Sequence, residues 1–436
     1  MGQLSDLRAA VRGSVLLAED AGFDQARLPW NRAVKQSALA VVEAADAEDV
    51  AALVRYAAER GLTVAAQPSG HGASGDTDGV ILLRTNRLTE LSVDSLARTA
   101  RVGAGVTWGA VLAEAGPYGL TGLAGSSPVV SVAGYTLGGG LSWFSRRYGW
   151  AADSVTAFDV VTADGTRARA TAEINPDLFW ALRGGGGDFA IVTAIEFDLH
   201  PAPDLFGGNL LWPAEHTAAA VHAFREITAT APDELSVWLD LVHFPGSAPM
   251  VSVEATYLGR AEEARELLRP FTAVGAPLAE SLRTLPVAEL GAVSNDPTDP
   301  GPGSSRAELL TDLDDVAVKA LLAEPISPLL LVQLRHLGGA LTRPSSTPQG
   351  PIAQPYLLYL FGLPLTTEIT SDIADQQQKL VDALGDRATG HKPFGFLNPN
   401  ERAANAFPEP ALARLREIKQ QHDPQSVLRS NFPVLG

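Results

Sequence analysis

One histidine, His71, sits among three glycines and two serines in the stretch 67–75, Q-P-S-G-H-G-A-S-G. Neutral imidazole attacks electrophiles near pH 7, and no other side chain of this loop is a comparable nucleophile. Glycine has no Cβ, so Gly70, Gly72 and Gly75 let the backbone turn sharply and come close to a flat or anionic ligand. Ser69 and Ser74 add hydroxyls and amides for phosphate oxygens. The apolar run before the loop (Leu62, Val64, Ala65, Ala66) reads as a strand, which Pro68 ends because it has no N–H to give. Read alone, the loop is equally a tight surface turn carrying a solvated histidine. The rest of the chain has to decide.

A second glycine-rich tract covers 122–140, G-L-A-G-S-S-P-V-V-S-V-A-G-Y-T-L-G-G-G. It is too apolar for a solvated linker. Small residues between valines suit a backbone lying flat against a ligand with its amides directed at it. Four further glycines, 184–187, precede a strand whose residues 189, 191, 193, 195, 197 and 199 share one face. Arg and Lys are nearly absent from these tracts, so donors for an anionic ligand must come from backbone and serines.

The elements around these tracts can be read in order. Residues 1–42 suggest a short helix and then irregular structure. Residues 46–60 form an amphipathic helix capped by Asp46 and closed by Gly61. Short strands follow at 80–83, 91–93 and 99–102, then a helix from Thr107 to Gly116. A hairpin spans 154–169. Asn175 starts a helix with proline and an acid in its first turn. From 201 the texture changes: strands at 236–242, 250–258, 329–336 and 356–363 alternate with helices at 214–228, 261–271, 312–323 and 366–384. Two loops rich in Pro, Gly and Ser, 294–305 and 343–355, interrupt them and are long enough to be functional or mobile. A tail helix covers 411–421. The class is α+β, with a domain at 1–200, a second at 201–395 presenting a mostly antiparallel sheet flanked by helices, and a segment 396–436 returning to the first.

Composition narrows the functions. The 436 residues are 46% hydrophobic and 19% charged, enough for a large core and too many for one compact unit. A net charge of −17 disfavours nucleic acid and anionic membrane as partners. The absence of cysteine removes disulfides, thiolate metal sites and a thiol nucleophile. The eight histidines show no metal-ligand spacing, so no metal site is expected. No stretch reads as a secretory signal or a membrane span, and the expectation is a cytoplasmic monomer or homodimer. A nicotinamide Rossmann enzyme is disfavoured, because neither tract has G-x-G-x-x-G followed by the required acid.

Taken in order, five stretches resemble the berberine bridge enzyme-like FAD-linked oxidases of the vanillyl-alcohol oxidase superfamily, with their two-part PCMH-type FAD-binding domain. They are the Ser69-Gly70-His71 loop; the tract 127–140; Arg147-Tyr148-Gly149 with Ala152-Asp153; the run 177–193, D-L-F-W-A-L-R-G-G-G-G-D-F-A-I-V-T; and the tail, with Leu415, Lys419, Asp423-Pro424, Arg429 and Asn431. The resemblance implies FAD carried covalently on His71. It implies cofactor contacts from Pro68, Ser69, Gly70, Gly72, Ala73, Ser74 and Gly75 in the first loop. In the second tract it implies Ser126, Ser127, Val130, Val132, Ala133, Gly134, Thr136, Gly138, Gly139 and Gly140. Gly187, Ile191, Val192 and Asn431 complete the set. Many relatives add a cysteinyl link, but here Ser127 holds that position, so the histidyl link is the single one (the mono-covalent type). Tyr135 stands where relatives have a histidine. Val130 occupies the position that controls oxygen access in the family, and a small valine there resembles the oxidase type.

The implied activity is oxidation of a small organic substrate. Hydride leaves a C–H beside an OH or NH for the flavin, which molecular oxygen then reoxidises to give peroxide. A dehydrogenase using another acceptor and a flavin-binding protein without turnover are the alternatives. Relatives commonly use a tyrosine as base, which makes Tyr135, Tyr257, Tyr356 and Tyr359 the candidates. Tyr356 and Tyr359, at odd spacing on one strand, point to opposite faces, so only one of them can meet the flavin. Asn398, in F-L-N-P, either lines the substrate side or forms a turn. Gln333 and Arg335 share a face of their strand and His336 takes the other. A compact alcohol or amine is preferred over long oligosaccharides.

Overall fold

Local signals place most elements where the sequence puts them. Helix Ala47–Arg60 begins where the Asp46 carboxylate accepts the Asp49 N–H at 3.1 Å, and it ends at Gly61, whose φ is +63°. The computed structural model describes residue 4 and residues 6–436. Thr107 does precede helix Trp108–Ala115, though its side chain makes no capping bond. The tract 122–140 is not flat throughout: Ser131 caps a short helix, Val132–Leu137. Strands Ser14–Leu17, Ala40–Glu43, Leu205–Pro213 and Ser304–Leu310 have no counterpart in the sequence reading. The last two are bounded by, or contain, Gly, Pro and Ser, the residues that normally signal loops. Long-range pairing overrides that local preference.

Three sheets carry the architecture. The first has the order Ser14–Leu17, Ala40–Glu43, Val80–Arg84, Thr63–Ala66, with the last two and the middle pair parallel. The second is antiparallel, in the order Leu91–Asp94, Thr99–Gly103, Ile191–Asp198, Val155–Val161, Arg167–Ala170. Register shifts at Val192/Ala194 and Glu196/Phe197 break the simple alternation expected along 189–199. The third sheet is large and antiparallel: Leu205–Pro213, Met250–Leu258, Leu235–Val242, Leu331–His336, Tyr356–Gly362 and Ser304–Leu310 lie side by side. One face of it is apolar (Leu239, Val253, Leu334, Leu358) and packs on helices Thr217–Thr228, Asp315–Leu322 and Thr367–Leu384. Its other face turns toward the glycine tracts.

The two parts are locked together by aromatic and polar contacts. Trp143 stacks on Trp238 with ring centroids 3.6 Å apart. The buried Arg146 donates to the carbonyls of Leu235 at 2.8 Å and Ala231 at 3.0 Å. The tail helix, Glu409–His422, returns the chain to the first sheet. Val64 donates to Val427 O at 2.7 Å, and Arg429 N donates to Val64 O at 3.0 Å. The Lys419 ammonium is buried and donates at 2.7 Å to Asp423 and to the carbonyls of Asp188 and Leu428. The Asp188 carboxylate in turn accepts Ser430 N and Val434 N, each at 3.0 Å. A buried pair with its remaining valences filled in this way holds Asn431 beside the glycine loops.

Candidate active site

Strand Thr63–Ala66 delivers the His71 loop to the middle of the molecule. Arg84, buried beneath it, donates to Gln67 O at 3.0 Å, Gln67 Oε1 at 2.9 Å and Leu28 O at 2.9 Å. Burial lowers this guanidinium to about 10. Gly70 has φ +81°, and a Cβ there would lie 2.8 Å from the Pro29 side chain, so only glycine fits. The imidazole is oriented on two sides. Trp30 stacks on it with centroids 4.2 Å apart, and Ser69 Oγ bonds Nδ1 at 2.7 Å. Burial drops His71 to about 4, so it is neutral at pH 7 and its lone pair is available. Its Nε2 is buried with no partner.

The second tract closes over the same space. Ser131 Oγ donates to Ala104 O at 3.1 Å and fixes the start of helix Val132–Leu137. At the other end Gly140 has φ +76°, and a Cβ would meet Tyr135 at 2.5 Å and Ala151 at 2.6 Å. The Tyr135 hydroxyl and Ser127 Oγ are also buried without partners, and burial pushes the Tyr135 phenol far above its ordinary value.

These loops enclose a cavity of about 400 Å³. It meets a second of about 510 Å³ that shares Pro68, Ser69 and Ser131 with it. Of the residues expected at a cofactor, Pro68, Ser69, Gly70, His71 and Gly72 line the first cavity. So do Ser126, Ser127, Val130, Ala133, Gly134, Gly138 and Gly140, and from later in the chain Gly187, Val192 and Asn431. Ala73, Ser74, Gly75, Val132, Thr136, Gly139 and Ile191 stand behind that wall rather than on it.

The tyrosines separate cleanly. Tyr135 and Tyr359 line the cavity. Tyr356 lies on the opposite face of the sheet, bonded to the Thr228 hydroxyl at 2.8 Å and packed near Phe224. Tyr257 bonds Glu263 at 3.2 Å at the surface. Asn398 is a turn: its Oδ1 accepts Asn400 N at 2.9 Å, and the cavity wall takes its neighbour Leu397 instead.

The sheet wall holds residues that the motifs do not mark. Cross-strand register sets Trp238 opposite both Arg335 and Glu254, and Gln333 opposite both Asp240 and Tyr359. All of them therefore share the face turned to the cavity. Arg335 lies 3.9 Å above the Trp238 ring, 5.5 Å from Tyr359 and 5.3 Å from Phe396. Its Nε donates to Gln333 Oε1 at 2.6 Å. Burial raises Tyr359, while a hydrogen bond from Ser305 and the Arg335 charge pull it back. Burial also lifts Asp240 to about 7 and Glu254 well above the carboxylate range, the second with Ser294 donating to it at 2.8 Å. The available signal was a lone acid inside each apolar run, V-W-L-D-L-V and V-S-V-E-A-T. Trp150, Ser305 and Phe396 carried no signal at all.

Four orphaned polar atoms (His71 Nε2, Ser127 Oγ, Ser430 Oγ and the Tyr135 hydroxyl) border one cavity with an apolar lining of Val130, Ala133 and Val192. A Cβ on Gly72 or Gly134 would meet nothing within 4 Å, so the backbone there is open to a close-lying ligand. Buried polar groups are ordinarily satisfied, and a flat cofactor with polar edges supplies what these lack. FAD fits the residues present.

Such a wall of glycine loops facing a large antiparallel sheet defines a flavoprotein of the berberine bridge enzyme-like fold. Residues 38–171 match the FAD binding domain family. The chain is 27% identical to the (R)-6-hydroxynicotine oxidase of Paenarthrobacter nicotinovorans over 98% of this chain and 97% of that protein. It is 30% identical to the glucooligosaccharide oxidase of Sarocladium strictum over 57% of this chain and 51% of that one. The BBE-like 1 structure of Physcomitrella patens superposes with a TM-score of 0.87 at 21% identity, covering 98% of this chain and 97% of that one. The resemblance read from the motifs thus holds: this is an FAD-linked oxidoreductase with the berberine bridge enzyme-like fold. Among the described residues no helix is long and apolar enough to cross a membrane.

Proposed function

We propose that the protein is an oxidase in which FAD is bound covalently to His71 alone, and in which a small substrate is oxidised between the flavin and Tyr359. One observation carries this reading: an unpartnered, neutral imidazole and a phenol near a guanidinium border the same cavity from its two different walls. FAD, when bound there, accepts a hydride from carbon and passes the electrons to oxygen as peroxide.

The chain's own residues supply the remainder. Ser69 and Trp30 hold the imidazole in one orientation, which favours attachment at a single place. The absence of cysteine leaves no second link. The loop amides and serines would hold the phosphates, since among the described residues the one cationic side chain lining the first cavity, Arg335, is on the sheet wall. Tyr359 acts as base in its phenolate form, which takes the proton of the substrate hydroxyl or amine and becomes the phenol; the nearby Arg335 charge lowers the cost of forming that phenolate against the burial that opposes it. Val130 leaves room for oxygen. The names of the two relatives above span an alkaloid and an oligosaccharide.

Acid precipitation tests the attachment: the pellet should stay yellow and the full-length band should fluoresce on a denaturing gel. A panel of alcohols and amines, read by anaerobic bleaching and then by peroxide release in air, tests the oxidase reaction. A colourless native protein would sink the reading.

A further inference from the structure

The Arg335 guanidinium has one recorded hydrogen bond, from Nε to the neutral Gln333 amide, and among the described residues no carboxylate lies within 4 Å of it. Its guanidinium carbon lies 3.9 Å from the Trp238 ring centroid and 5.3 Å from that of Phe396, so two aromatic rings pack against the group. Loss of water lowers its pKa below the ordinary guanidinium value. Three acids act on it at longer range: Asp240 and Glu254 on its own sheet face, and Asp296 on the loop 294–303. Burial raises Asp240 to about 7 and raises Glu254 well above the ordinary carboxylate range, so their compensation of its charge is incomplete. A half-buried cation whose outer donor edge meets no protein acceptor among the described residues and opens on the cavity is placed to receive a ligand's counter-charge.

Resting on the oxidase reading above, we infer that Arg335 anchors a carboxylate of the substrate, so that the substrate class is compact hydroxy or amino acids. The guanidinium fork matches a carboxylate bidentately. The anchor is 5.5 Å from the Tyr359 ring, which keeps the anion and the oxidised C–OH or C–NH within one small molecule. The phosphates of the cofactor are served at the other wall, by the glycine loops.

The test uses flavin-loaded full-length protein and follows the flavin spectrum during titration with benzoate and with its uncharged isostere benzamide. Benzoate should bind at least about tenfold more tightly than benzamide to the wild type. Arg335→Gln should weaken benzoate about 10- to 100-fold and leave benzamide nearly unchanged, and Arg335→Lys should fall between. Equal binding of the two probes to the wild type overturns the inference, and so does an equal loss of both in the glutamine variant. Sulfite titration covers the competing role, in which Arg335 serves the negative charge of the reduced ring. If Arg335→Gln weakens the sulfite adduct while benzoate affinity stays put, the anchor belongs to the flavin and the inference is wrong. Should the glutamine variant fail to fold, the wild-type ratio and the lysine variant decide. Protein that holds no flavin at all would instead overturn the function proposed above.

Discussion

On one wall of the cavity the ligand-facing groups are backbone, glycine and a few short side chains, supplied by three loops that are each continuous in sequence. On the other they are long side chains (Arg335, Tyr359) on the neighbouring strands Leu331–His336 and Tyr356–Gly362, with Trp238 and Asp240 from the sequence-distant strand Leu235–Val242 set beside them by register. The first wall depends on what is absent, a Cβ at Gly70 or Gly140. The second depends on register, because a slip of one residue would turn its polar row into the helix-packed apolar layer. On the function proposed above, cofactor geometry is held by rigid short-range structure, whereas substrate chemistry is held by positions that can change one at a time.

The largest effect expected on the loop wall follows from removing its nucleophile. His71→Ala should abolish acid-stable flavin fluorescence at the full-length band; persistent covalent flavin in that variant would break the assignment of this wall. On the sheet wall, Tyr359→Phe should lower kcat by about 10²- to 10⁴-fold with the flavin still bound. Its strand neighbour sharpens the contrast. Tyr356→Phe loses only the bond to Thr228, so it should cost about 1 kcal/mol of stability and leave kcat within about twofold. A reversed outcome for the two tyrosines in steady-state assays would mean that the register argument fails.

Gly140→Ala adds a Cβ into Tyr135 and Ala151 at a positive φ. It should cost about 2–4 kcal/mol in denaturant unfolding and reduce flavin retention. A fully stable alanine variant would show that this wall tolerates side chains after all. A pH-dependent effect belongs to Asp240. Its folded value near 7 exceeds the unfolded one of about 4, so its contribution is complete below pH 4 and is lost as the pH rises through 7. Asp240→Asn should flatten that decline by up to about 3–4 kcal/mol, measured by unfolding at pH 4 and pH 7.5.

Legibility in the sequence follows the same division. The His71 loop, the tract ending in Gly138-Gly139-Gly140 and the four glycines at 184–187 could be read directly, because each acts through its own backbone. Asn431 was legible through its motif alone, while the buried Lys419 and the Asp188 clasp explain why the tail comes back. The tyrosines could be reduced to a list but not ranked. Strand parity said that only one of Tyr356 and Tyr359 can face the flavin; that Tyr359 is the one lining the cavity required knowing which face the helices cover. Asn398 looked the same from sequence whether it served a ligand or its own turn.

The sequence by itself determined the α+β class, the cofactor loops and the absence of any thiol chemistry, since glycine spacing and residue inventory are local properties. Only the tertiary structure decided that Arg335, Gln333, Asp240 and Tyr359 form one polar face, because hydrogen bonding between distant strands sets which side chains become neighbours. Burial did the rest: the same carboxylates that would be ordinary anions in water are pushed toward neutrality here, and the guanidinium beside them is left looking for a partner.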